Sequence, residues 1–366
     1  MPQANQPSRI CSLLVFDPLA RASRSLASPA PMPPSHMPGA GMTGPMWMPT
    51  EPPTLARLLA WHPQPVPFLP AVVALLLLLY LLGVWRLRRR GIAWPIQRTI
   101  WWVAGLVTIL VVTATGIDGY GMELFSVHMV QHMTLSMLSP VFLVLGAPIT
   151  LLLRALSAKP GGGLNLRKAV LLALHSRLAG FVTHPVVTIT LFLLSLYGLY
   201  FTPAFDFLMG TMWGHNLMLS HFLLIGMLYF WGVMGVDPSP RQASRGMRRL
   251  SAPVLRIFEL FVTVPFHAFF GVIVMMSVDL IVHFYSAPNP AWGVSPLADQ
   301  ALGGGIAWGF TELPTLIVLG VIFLQWQKSE GRHERASNRK ADADGDAERV
   351  AYNEYLSSLA RRDASR

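Results

Sequence analysis

Cysteine is almost missing: Cys11 is the single one among 366 residues. A disulfide framework within the chain and a thiolate metal site are therefore both excluded. Charge is also scarce. Asp, Glu, Lys and Arg make up 13% of the chain against 53% hydrophobic residues, with mean hydropathy +0.47, which argues for an integral membrane protein and against a soluble domain. No HExxH run occurs, so the zinc-hydrolase reading lacks support. No nucleophile-and-base arrangement stands out, and no enzyme activity is expected. The last long apolar run holds no lysine for a retinal Schiff base, which argues against a photoreceptor.

What is present is a series of seven apolar runs, near Val66–Trp85, Thr99–Gly116, Leu124–Leu145, His184–Phe201, Thr211–Val236, Ile257–Phe284 and Leu302–Trp326. Each is about the 20 residues that a helix needs to cross a bilayer. The expected fold is all-α, a polytopic bundle of seven transmembrane helices. Pro140 and Pro148 mark places where the third run can kink or break, and it can continue to Leu153. The net charge of +10 does not point to nucleic acid, because the basic residues punctuate the apolar runs. The first connection carries Arg86, Arg88, Arg89, Arg90 and Arg98, and the third and fifth are similarly basic. The second, fourth and sixth hold no Lys or Arg. By the positive-inside rule the N-terminus lies outside and the C-terminus in the cytoplasm. Outside the membrane part, 66–326, the reading is of a Met/Pro-rich disordered segment over 1–65 and a charged, mostly disordered tail over 327–366, in which Glu348–Leu359 can form a short helix.

The chemistry gathers toward one side. His128 and His132 stand four apart, on one helical face and about 6 Å apart along the axis. Met129, Met133 and Met137 repeat at the same spacing beside them. The fifth run opens with Met212, His215, Met218 and His221, and the sixth closes with Met275, Met276, Asp279 and His283. Asp118 and Glu123 lie in the second connection, on the same side. Imidazole and thioether together suit copper, Cu(I) in particular. The candidate metal ligands are His128, His132, His215, His221, Met129, Met133, His283 and Asp279. His215 and His221 point about 120° apart on a helix, so one of them at most faces the same centre, and His215 is preferred. The alternative is that these histidines tie helices together by hydrogen bonds. His267 beside Pro265 either carries a proton or metal inward or bonds a freed carbonyl. Glu312 is a candidate partner for it. Asp299 either caps the seventh helix, the preferred reading, or adds a carboxylate to the outer site. Met32, His36, Met37, Met42, Met46 and Met48 read either as a loose Cu(I)-collecting tail or as low complexity.

Several runs resemble one family. HMVQHM opening the third run, LVLGAPITLLLRAL after it, HP at the fourth, FWGVMGVDPSPR after the fifth and SPLADQALGG before the seventh are similar to the seven-helix CtaG family of cytochrome c oxidase assembly proteins. The resemblance spans roughly Leu69–Trp326. It implies a bacterial plasma-membrane protein, partnered with haem–copper oxidase subunits and engaged in copper supply or assembly. His128 and His132 carry over from the motif, and His215 less directly. A family His-x-x-x-His pattern at the fifth run is broken here by Leu219, with His221 displaced. Three further readings remain: a copper permease, a b-type haem protein with axial histidines, and a metal-free scaffold for subunit maturation.

Overall fold

The computed structural model describes residues 43–156, 165–240, 252–344 and 347–364. Met32, His36, Met37 and Met42 lie outside them, as do Lys159 and Arg241, Arg245, Arg248 and Arg249 of the basic connections. In chain order the helices are α1 (Leu55–Leu59), α2 (Phe68–Arg89), α3 (Ile96–Ala114), α4 (Gly116–Tyr120) and α5 (Phe125–Met133). A π-helical turn (Thr134–Leu138) then leads into α6 (Ser139–Leu145) and α7 (Pro148–Ala155). There follow α8 (Leu166–Leu174), α9 (Arg177–Val182), α10 (Pro185–Tyr200), α11 (Ala204–Met209) and α12 (Met212–Met234). The last are α13 (Ala252–Met276), α14 (Pro296–Phe310), α15 (Glu312–Asp344) and α16 (Ala347–Ala364). No strand forms among the described residues; isolated bridges join Thr43 to Thr211 and Trp61 to Thr115.

Six helical stretches are long and apolar enough to cross a membrane: α2, α3, Phe125–Ala155, α12, Pro253–Met276 and Pro296–Ala343. The chain is thus a multi-pass membrane protein. The fourth apolar run is a shorter helix, α10, of 16 residues. These helices are apolar outside as well as inside. α2 buries Val73, Tyr80, Val84 and Leu87 while exposing Leu75, Leu78, Leu82 and Trp85, the pattern of a helix with lipid on one side and protein on the other. Where helices meet, small residues bring backbones together. α13 lies along α14: a Cβ on Gly304 would collide with the Met275 nitrogen, and one on Gly271 would stand 2.6 Å from the Trp308 nitrogen. The ALGG run thus forms a packing surface.

The third run is one segment with two interruptions. After His132 the helix widens into the π turn, where the Ser136 hydroxyl donates to the His132 carbonyl (2.8 Å). It then breaks at Ala147, the only non-glycine residue with positive φ (51°) among the described residues. The carbonyl of Gly146 accepts from the Tyr80 hydroxyl (2.9 Å), which itself accepts from the Trp94 indole (3.2 Å). The new helix α7 starts on Pro148, which needs no N–H partner. Its next two amides, of Ile149 and Thr150, both donate to the Asp237 carboxylate at 2.9 Å, and the Thr150 hydroxyl does so at 2.5 Å. The DPSP run after α12 therefore caps a helix 88 residues earlier.

Four expectations change. Residues 43–65, read as disordered, are tied to the bundle where described. Trp47 stacks on His62 with centroids 4.6 Å apart, its amide donates to Gln64 (2.8 Å), and the Tyr120 hydroxyl donates to the Glu51 carbonyl (2.8 Å). The tail is helical where described, because α15 runs past Trp326 to Asp344 and α16 follows. The sixth helix stops at Met276 rather than near Phe284. There the Gln300 side chain satisfies the exiting backbone, accepting from the Ile281 amide (2.7 Å) and donating to the Asp279 carbonyl (3.1 Å). Finally, Asp299 does not cap its own helix. It caps α5.

Candidate functional site

The end of the bundle that holds the start of α5 is the histidine end, and the opposite end, with the basic connections, is the arginine end. At the histidine end α5 starts without a capping side chain of its own. Asp299 of α14 supplies one from 174 residues away: its carboxylate accepts from the Phe125 amide (2.6 Å) and also from the Ser126 hydroxyl. An acid at a helix N-terminus is favoured by the helix dipole as well as by the hydrogen bonds. Thus α14 fixes the register of the helix that carries the histidines.

Three imidazoles are buried together: His128 (0% exposed), His132 (2%) and His215 (1%). One hydroxyl joins two of them. Tyr200, the last residue of α10, stands 3.1 Å from His128 Nε2 and 2.8 Å from His132 Nδ1. A phenol has one proton to give, so if it donates to one ring the other ring donates to it. His132 lies flat against Phe222 with centroids 3.7 Å apart. His128 packs edge-on to Phe205 (5.1 Å). His215, from the first turn of α12, faces His128 with ring centres 6.2 Å apart. Two nitrogens here, His128 Nδ1 and His215 Nε2, are buried with no hydrogen-bond partner among the described residues. Burying a polar group without a partner costs roughly 1–3 kcal/mol, which makes these two nitrogens the candidate ligand atoms of the cluster.

The donor set fits a soft, low-coordinate metal ion better than a crowded site. A metal–imidazole bond is about 2 Å, so rings sharing one ion between facing nitrogens stand about 6 Å apart at their centres. The His128–His215 spacing accommodates that. Met129 and Met133 are fully buried on the same helix, and Met218 on α12. No group of three or more His, Cys, Asp or Glu side chains that could hold a metal is found among the described residues. Any site here is therefore two imidazoles, with thioethers as the further candidates.

Other expected ligands are not brought in. His221 is on another face of α12, where its Nε2 pairs with the Ser195 hydroxyl (2.7 Å). Since α13 has ended, Asp279 is exposed in the connection, and the His283 side chain is 77% exposed and 3.8 Å from the Asp206 carboxylate. His267 pairs with the Thr311 hydroxyl (2.8 Å) rather than with Glu312, which is exposed. A narrow cavity lies between His132 and His267, lined also by Ser136 and Ser195.

Beside the cluster sits an acidic pair in the second connection. Asp118 accepts from the Gln131 amide (2.5 Å), which also donates to the Val112 carbonyl (2.7 Å). Burial pushes the Asp118 carboxyl up to about 7, against the opposing pull of the Gln131 hydrogen bond. Burial raises Glu123 as well. Gln131 lies between the two histidines in sequence, so the helix that carries the imidazoles also holds the Asp118 carboxyl of α4 by a hydrogen bond.

A family model described as cytochrome c oxidase caa3 assembly factor matches residues 78–329. The chain belongs to the caa3 oxidase assembly factor family. The matched region runs from within α2 into α15 and contains HMVQHM, the Asp237 cap and the Asp299 cap. Residues 43–65 and the end of the tail lie outside it. Among curated proteins, the chain is 42% identical over 318 residues to Mb0105 of Mycobacterium bovis, covering 85% of this chain and 46% of that one. The identity and coverage are the same for MT0111 of Mycobacterium tuberculosis. It is 42% identical over 286 residues to ML1998 of Mycobacterium leprae, covering 77% of this chain and 42% of that one. The chain thus spans about half the length of the curated relatives it matches. No solved structure matches it.

The sequence missed Tyr200 and the reach of Asp299. Tyrosine ending an apolar run reads as an interfacial anchor, and nothing local pairs it with residues 68 and 72 positions away. Asp299 followed by a helix reads as that helix's own cap.

Proposed function

We propose that this assembly factor serves a haem–copper oxidase of the bacterial plasma membrane by holding Cu(I) as cargo between His128 and His215. The observation that carries the reading is the pair of buried, unpartnered imidazole nitrogens in one cluster. His132 and Tyr200 hold His128 in place, and the buried methionines supply soft donors for exchange. The arrangement requires no chemical transformation, in keeping with a role in assembly. The seven apolar runs support seven spans, with α10 as the fourth, and the distribution of Lys and Arg supports a histidine end facing outside. Copper would then arrive from outside and leave to an oxidase subunit docked alongside.

The test is copper retained by the purified, detergent-solubilised chain after Cu(I) loading under reducing conditions and desalting. The wild type is expected to keep about one copper. His128→Ala and His215→Ala, with helicity unchanged by circular dichroism, should keep none, and His221→Ala should match the wild type. Equal retention in all four would remove the metal reading and leave a scaffold. A second reading, a copper permease, draws on the cavity between His132 and His267. Copper uptake into vesicles that His267→Ala abolishes would favour it over exchange at one face.

A further inference from the structure

At the arginine end a cavity of about 700 Å³ opens among α3, α12, α13 and α15. That volume lies in the usual ligand-site range of about 300–1,000 Å³. Four basic side chains line it, Arg98, Arg256, Lys328 and Arg332, against one acid, Glu330. Copper handling at the histidine end makes no use of it.

One of these cations is set in position. The Arg256 guanidinium donates to the Gln325 amide oxygen (3.0 Å), and the Gln325 amide nitrogen donates to the Met234 carbonyl (2.9 Å). The guanidinium lies against Gly235, where a Cβ would collide with its central carbon. Gly235 has φ +56°, ending α12 in the left-handed conformation that favours glycine. This residue therefore both turns the chain and leaves room for the guanidinium. Arg332 is tethered through its Nε to the Lys328 carbonyl (3.2 Å). Arg98 lies over the Trp94 ring at 5.0 Å.

A concave, cationic site with a fixed guanidinium suits a phosphate group. Its location selects the source. The apolar part of α15 ends at Trp326, an exposed tryptophan that lines the cavity, and Lys328 follows. Tryptophan next to basic residues at the end of an apolar run marks the headgroup level of a bilayer, and basic pockets between spanning helices take anionic headgroups. We propose that this cavity binds the phosphate headgroup of an anionic phospholipid, with Arg256 as the fixed contact and Arg98, Lys328 and Arg332 around it.

The test uses the full chain in detergent with added phosphatidylglycerol or phosphatidylcholine, read by native mass spectrometry. Phosphatidylglycerol should be retained and phosphatidylcholine lost. Each cation removed near an anionic headgroup should weaken retention about fivefold. The double variant Lys328→Gln, Arg332→Gln alters exposed side chains only and should lower retention about 20-fold or more. Arg256→Gln should lower it at least as far as either single change. Arg86→Gln, in the last turn of α2 and outside the cavity, should leave it unchanged. Equal retention of the two lipids, or retention of phosphatidylglycerol that ignores the cavity variants, overturns the proposal. So does full displacement of the lipid by millimolar inorganic phosphate, which would assign the cavity to a soluble phosphate compound.

Discussion

The two ends of the broken third span are capped in the same way and used differently. At the histidine end Asp299 holds Phe125 and Ser126; at the arginine end Asp237 holds Ile149 and Thr150. Both carboxylates come from distant elements, and both lie in runs that resemble the family. The end that Asp299 caps also holds the imidazoles, the Tyr200 phenol and the buried Asp118 and Glu123, closed off by aromatic rings. Around Asp237 the helix start follows a left-handed alanine, and the nearby cavity is open and basic. A buried carboxylate is thus no mark of the site by itself. What distinguishes the histidine end is the presence of buried imidazole nitrogens left without partners.

That contrast can be broken most directly at the caps. Asp299→Ala should destabilise by about 2–3 kcal/mol, because it strands buried donors, and Asp237→Ala by about 1–2 kcal/mol, because the amides it caps are part-buried. Thermal melting of the detergent-solubilised chain would read both losses. Only Asp299→Ala should also abolish copper retention; if Asp237→Ala does so equally, the two ends are not separate in function. Next is Tyr200→Phe, which removes the hydroxyl shared by His128 and His132. A loss of about 1–3 kcal/mol is expected, with weaker copper retention and no change in lipid retention at the arginine end.

A smaller effect should appear in pH dependence. The Asp118 carboxyl titrates near 3.8 when unfolded and about 7 when folded. Over that window the folded state binds more protons, so its stability from this group is fully present at low pH and falls as pH rises toward 7. Asp118→Asn should flatten the fall in melting temperature between about pH 4 and pH 7; an unchanged slope would show that Asp118 ionises freely. Least of all, Ala147→Gly should be neutral or raise stability by up to about 1 kcal/mol, since glycine takes the left-handed conformation without a Cβ penalty. A marked loss would mean that the buried methyl matters more than the backbone.

Six of the spans were legible because a long unbroken apolar run suits little besides a bilayer. His128 and His132 were legible because imidazole is rare in such runs and four-residue spacing sets one face. Helical angle showed that His215 and His221 cannot both face one centre, and His215 was preferred as the one nearer the outer surface. The end of α13 was not legible: VDLIVHF continues apolar, and the stop depends on Gln300, a side chain from another helix. Asp279 and His283 were misplaced for that reason. The structure of residues 43–65 was hidden because a proline-rich composition reads as disorder, whereas Trp47, Gln64 and Tyr120 anchor that segment by single tertiary contacts.

The π turn at Thr134–Leu138 has one more consequence. A π turn adds a residue to the circuit without advancing the helix by a full step, so the two halves of the span are out of phase by about 100°. The half with the histidines meets α14, and the half with Pro140 meets α3 and α12. The extra residue works like one added tooth on a gear: it lets each half mesh with its own neighbours. Deleting any one residue of the turn would leave a smooth helix that can seat its imidazoles or its proline half, and never both at once.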